Sequence, residues 1–133
     1  MTTTLPSVRA LFCGQRTYTD WATIGQVIAA LPPGSTVIHG GARGADTIAG
    51  ACAKERGLPV EVYVADWDTH GKAAGAIRNQ RMLDEGHPTE VYAFFNDRAM
   101  SRGTEDMIRR AKRLGLAVTV YDKGVGGVVN GGE

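Results

Sequence analysis

The chain has 133 residues, 43% of them hydrophobic and 22% charged, and its 15 Lys and Arg against 14 Asp and Glu leave a net charge of +1. That balance fits one folded domain and excludes wholesale disorder, which needs low hydrophobicity and high net charge. It also excludes the broad basic footprint of a nonspecific nucleic-acid binder, and no apolar stretch nears the roughly 20 residues of a membrane span.

Val8 to Cys13 forms a short apolar run that stops at Gly14, and it predicts a first strand. Asp20 is a good N-cap, and Trp21, Ile24, Ile28 and Leu31 then recur at helical spacing, predicting a first helix with these four inward. Pro32-Pro33-Gly34 ends it, and Thr36 to His39 gives a second strand, stopped by Gly40-Gly41. Ala45 to Arg56 predicts a second helix with Ile48, Ala49, Cys52 and Ala53 on one face and Gly57 as its C-cap. Val60 to Val64 predicts a third strand, Lys72 to Glu85 a helix ended by Gly86, and Glu90 to Phe95 a fourth strand. Gly103 to Leu114 predicts a further helix with Met107, Ile108, Ala111 and Leu114 inward, and Ala117 to Tyr121 a fifth strand.

This alternation implies a single α/β domain over residues 1–123: a Rossmann-like three-layer fold, with a five-stranded, mainly parallel sheet and helices on both faces. The tail from Gly124 to Glu133 holds five of the 18 glycines and is expected to be a flexible end. The start, Met-Thr-Thr-Thr, lacks the basic and apolar regions of a signal peptide, so a cytoplasmic domain is expected. Cys13 and Cys52 show no CxxC spacing, and neither a disulfide, a metal nor a cofactor is expected.

In such sheets ligands bind beyond the carboxyl ends of the strands, where the strand order reverses. The first of these loops offers Gly14 and Arg16. The second, His39-Gly40-Gly41-Ala42-Arg43-Gly44-Ala45-Asp46, carries the strongest local signal. Glycines let the backbone approach an anion, the helix start offers free N–H groups, and Arg43 adds a bidentate phosphate donor. Asp46 either caps that helix or accepts a ribose hydroxyl. The third loop supplies Asp66, Trp67, His70 and Lys72; Trp67 either stacks on a base or covers the core edge. Arg78 and Asn79 follow on the next helix, with Arg81 one turn on. Arg102, Gly103 and Thr104 open the last helix, where Thr104 serves as an N-cap or meets a ligand. Arg109, Arg110, Lys112 and Arg113 are expected to be a solvated outer face.

The segments His39 to Asp46, Ala65-Asp66-Trp67 with His70 to Gly75 and Arg78-Asn79, and Arg102-Gly103-Thr104 before Asp106-Met107 resemble the YspA-like family. This small bacterial and phage family belongs to the SLOG superfamily of Rossmannoid proteins, with LOG-type phosphoribohydrolases and the DNA-processing protein DprA. The resemblance runs from about Val8 to Tyr121 and implies a nucleotide or nucleotide-derivative pocket. Two stretches depart from it. Relatives usually carry Cys-Gly-Gly-Arg-Asp-Tyr where this chain has Cys13-Gly14-Gln15-Arg16-Thr17-Tyr18, and a short turn where it has Asn96 to Arg102. Arg78-Asn79-Gln80-Arg81-Met82 looks like the Arg-Lys-x-x-Met of LOG enzymes, but Met107 stands at the position of their closing glutamate.

A small-molecule nucleotide binding or sensing domain with a phosphate at the glycine-rich turns is therefore the first expectation, as a homo-oligomer. An N-glycosidic hydrolase is the alternative, with Arg78 and Asp106 as candidate catalytic residues. A DprA-like single-strand DNA binder ranks third, because the charge is near neutral and nucleic acid is not an expected partner.

Overall fold

The structure, a computed structural model, describes residues 5–125 and 127–130. Its elements are β1 (Arg9–Gly14), α1 (Trp21–Ala30), β2 (Thr36–His39), α2 (Ala45–Arg56), β3 (Val60–Val62), α3 (Trp67–His70), α4 (Ala74–Gly86), β4 (Glu90–Phe95), α5 (Arg102–Arg113), β5 (Ala117–Asp122) and β6 (Gly127–Asn130). Single 3-10 turns occupy Gly71–Ala73, Arg98–Met100 and Lys123–Val125.

The sheet runs β3-β2-β1-β4-β5-β6. The first five strands are parallel, as the alternation requires, and helices cover both faces. Ala10 and Phe12 pack with Ile24 and Ile28 of α1 and Ile48, Ala49 and Ala53 of α2. Leu11 and Cys13 point the other way, toward Met82 and Leu83 of α4 and Met107, Ile108 and Ala111 of α5. Both faces of β1 are thus buried, which is why its sequence is unbroken apolar rather than alternating. The strand order reverses between β1 and β4, so the crevice at their carboxyl ends is the switch point of the fold.

Several local expectations change. Trp21 is 53% exposed, because it is the first residue of α1 and a helical side chain leans back past the N-terminus. Leu114 is exposed beyond the end of α5, and Leu116 packs onto the core in its place. The third strand ends at Val62, and Val62 and Val64 are exposed at the sheet edge. The predicted helix from Lys72 is α4 starting at Ala74. Before it, Asp66 caps the short α3 through the Thr69 N–H, and Gly71 at φ +54 turns the chain out of α3. Gly127–Asn130, in the segment expected to be a flexible end, is instead a sixth strand, paired antiparallel with β5. Residues 126 and 131–133 of that tail lie outside the described residues. No helix among the described residues is long and apolar enough to cross a membrane.

Candidate functional site

A cleft of about 590 Å³ opens at the switch point, walled by the loops after β1, β2 and β4 and by α4 and α5. Of the residues expected from sequence, Gly14, Arg16, Asp46, Trp67, Lys72, Arg78, Asn79, Arg102, Gly103, Thr104 and Asp106 line it. Gly40, Gly41, Arg43, Gly44, Asp66 and His70 do not.

The glycine turn after β2 departs most from expectation. Its N–H groups face a carboxylate of the chain itself: Asp46 Oδ2 accepts from Gly40 N at 3.1 Å and from Ala42 N at 3.2 Å. Asp46 is 5% exposed, and burial pushes its pKa up to about 6 against the pull of those N–H groups and of Arg78. An internal anion thus holds the position expected for a phosphate, and Arg43 is exposed outside the cleft. The glycines answer to packing. A Cβ on Gly40 would lie 2.3 Å from Arg78 Nη1, and one on Gly44, at φ +77, would lie 2.3 Å from the Gln15 carbonyl oxygen. His39 beneath the turn accepts the Gly41 N–H on Nδ1 at 3.0 Å, and burial with Arg78 nearby lowers its pKa, so it is neutral.

Arg78 and Asn79 leave α4 in different directions. Arg78 Nη1 donates to the Gly40 carbonyl at 2.5 Å and its Nε donates to Asn79 Oδ1. Asn79 is 5% exposed and donates to the Gly103 carbonyl at 3.1 Å and to Asp106 Oδ2 at 3.0 Å, tying α4 to the start of α5. Arg81 turns outward to Glu85 and over the Tyr63 ring.

At α5 the N-cap is Ser101, not Thr104, and its side chain makes no capping bond. Thr104 is buried one turn in and accepts from Ser101 Oγ at 2.8 Å. Met107 is 0% exposed in the core, whereas Asp106, one position earlier, faces the cleft. Arg110 Nε donates to Asp106 Oδ2 at 2.8 Å. Burial alone would raise the Asp106 pKa, but bonds from Arg110 and Asn79 hold it below the ordinary carboxylate range. Arg109 lines the cleft and Arg110 pairs with Asp106, so this stretch is not wholly a solvated face; Lys112 and Arg113 are exposed as expected.

Arg16 stands 5.8 Å from the centre of the half-exposed Trp67 ring. The guanidinium lies over the indole ring, a cation–π stack that a planar base can extend. Cys13 lines the floor, but burial and then Asp46 raise its thiol pKa, leaving it neutral and unreactive. Sequence reasoning did not include Gln15 among the site residues. It is 8% exposed, lines the cleft and bonds the loop after β4; its one signal was its departure from the glycine usual in relatives.

A second depression, about 470 Å³, lies beside Leu5, Val27, Leu31, Tyr92 and Tyr121 on the α1 side of the sheet. It is mostly apolar, and its one carboxylate, Glu90, is bonded by the Tyr92 hydroxyl, so the polar chemistry belongs to the switch-point cleft.

Residues 8–70 match the model of the YspA, cpYpsA-related SLOG family. The chain is also 38% identical over 119 residues to Gene 61 protein of Mycobacterium phage D29, covering 83% of this chain and 93% of that protein. The chain belongs to the YspA, cpYpsA-related SLOG family.

Proposed function

We propose that the cleft binds a phosphate-bearing nucleotide or nucleotide derivative. Membership of the SLOG family supports a nucleotide-related binding domain. One observation carries the finer reading: Arg16, Lys72, Arg78, Arg102 and Arg109 line the cleft, and its two carboxylates, Asp46 and Asp106, are already engaged by the glycine turn and by Arg110. The excess positive charge is therefore left for a ligand anion. The phosphate sits at the start of α5, where the N-cap side chain makes no capping bond and Arg102 and Gly103 flank the opening. The base lies toward Arg16 and Trp67. Asp46 Oδ1, which takes no hydrogen bond among the described residues, accepts a ribose hydroxyl.

Titration calorimetry with AMP, ADP, ADP-ribose and inorganic phosphate tests this. Nucleotide binding that weakens with salt and in Arg102→Ala supports it, and no heat from any of the four with folded protein rejects it. N-glycosidic hydrolysis is the second reading because Asp106 does face the cleft. Its carboxylate, however, is ionised and neutralised by Arg110, which suits neither a proton donor nor a partner for a ribosyl cation.

A further inference from the structure

We infer that Gln15 is a positioning residue that latches the β4–α5 loop onto the β1 loop and so sets the geometry of the cleft. Five bonds meet at this one buried residue, one of them local, from the Tyr18 N–H to the Gln15 carbonyl at 3.1 Å. Its N–H donates to the Phe94 carbonyl at 3.0 Å, and its own carbonyl accepts from Ala45 N at 3.3 Å at the start of α2. Its side-chain Oε1 accepts from two successive backbone N–H groups, Asn96 at 2.5 Å and Asp97 at 2.8 Å. Asn96 replies by donating its Nδ2 to the Thr17 carbonyl at 2.9 Å. The bonds join β1, β4 and α2 across the switch point, with partners 81 and 82 residues apart in sequence.

Both departures from the family pattern are thereby one structure. The bulkier residue after Gly14 supplies the acceptor, and the longer segment from Asn96 supplies the donors it holds. The latch also decides which donors meet a ligand. The Asn96 and Asp97 N–H groups lie at the carboxyl end of β4, where an anion would otherwise find them, and the Gln15 amide already occupies them. What remains is the start of α5, whose position follows from the loop. Arg98, in that loop, makes two bonds to Glu105 of α5, at 2.8 and 3.0 Å, so a loop held at Asn96 and Asp97 holds the helix start as well.

The ligand consequence rests on the nucleotide reading above; the latch itself does not. The experiment compares wild type with Gln15→Met, which keeps length without an acceptor, and Gln15→Glu, which keeps an acceptor for both N–H groups. Amide exchange by NMR and AMP titration are measured on each. In Gln15→Met, exchange at Asn96 and Asp97 rises on the order of tenfold while Val37 and Ile38 in β2 keep their protection. Gln15→Glu restores protection at both loop amides. AMP affinity falls about tenfold in Gln15→Met, the scale of displaced phosphate donors. Unchanged loop exchange in Gln15→Met overturns the latch, and lost protection with unchanged AMP affinity overturns its positioning role. A wild type that binds no AMP, ADP or ADP-ribose defeats the nucleotide reading, and with it any ligand role for Gln15, while the exchange data still decide whether the latch exists.

Discussion

Asp46 and Arg78 hold the same residue from opposite ends: Asp46 Oδ2 takes the Gly40 N–H at 3.1 Å, and Arg78 Nη1 donates to the Gly40 carbonyl. A buried carboxylate and a half-buried guanidinium, both lining the cleft, thus order between them a glycine turn whose Gly40 and Gly41 do not themselves line it. Each has a distinct consequence on removal.

Asp46 should make the fold less stable as pH rises through the weakly acid range. Burial lifts its pKa from 3.8 to about 6, so between those values the folded state holds a proton that the unfolded state has released. Stability then falls across that window and levels off above it, by up to about 3 kcal/mol for the full shift. Asp46→Asn keeps an acceptor for the turn and removes the titration. Urea unfolding should show the variant gaining on wild type from pH 4 to pH 7. Parallel pH profiles for the two proteins would show that Asp46 does not titrate there.

Arg78→Ala should weaken AMP binding by about 1.5–3 kcal/mol, the scale of a charge-assisted hydrogen bond. Because Arg78 also bonds the Gly40 carbonyl, the unfolding midpoint should drop as well, and Arg78→Lys should recover only part of either loss. Calorimetry and thermal melts on both variants check this. Full AMP affinity in Arg78→Ala would remove Arg78 from the site.

Trp67→Ala should separate binding from stability in the opposite sense. The side chain is 49% exposed, so its loss should shift the melting temperature little. Loss of a stacked base should cost about 1–3 kcal/mol for AMP and leave inorganic phosphate unaffected. Equal losses for AMP and inorganic phosphate would place the base elsewhere.

Overnight incubation with AMP should release no adenine detectable by chromatography. Asp106 is held as a carboxylate by Arg110 and Asn79, and the position one residue on is the buried Met107. Turnover that vanishes in Asp106→Asn would make the protein a hydrolase.

Two left-handed glycines should respond differently to alanine. Gly44 at φ +77 has the Gln15 and Arg16 carbonyl oxygens where a Cβ would go, whereas Gly57 at φ +83 has nothing within 4 Å. Gly57→Ala should cost about 1 kcal/mol from backbone strain alone, and Gly44→Ala should cost at least about 2 kcal/mol more. Similar urea midpoints for the two would mean that the α2 turn can shift.

The layer order was legible because each strand is a short apolar run closed by glycine or a polar loop, and each long helix has a clear period. The cleft was legible in its loops but not in its wiring. Asp46 was rightly placed at the mouth of α2, yet sequence spacing does not tell whether its carboxylate meets a ribose or folds back onto Gly40 and Ala42. Arg43 fits the residue type of a phosphate donor, but the turn points it outward. Asp106 and Met107 exchange roles through a single 100° step of helix, a difference finer than a motif match resolves. Gln15 was missed because its partners are backbone N–H groups more than 80 residues away, and backbone donors leave no mark in sequence.

The place of β1 in the middle of the sheet gives ligand occupancy a further meaning. Its neighbours are β2, which follows directly, and β4, whose pairing joins residues about 80 apart. Half of the cleft, from Cys13 to Asp46, therefore exists early along the chain, and the other half, from Arg78 to Asp106, arrives only when β4 docks. A nascent or truncated chain ending near residue 70 carries the cleft residues of the β1 and β2 loops and none of those from α4 or α5. On the nucleotide reading proposed above, a nucleotide touching both halves would act as a noncovalent crosslink between segments far apart in sequence, so its binding would require β4 to have docked.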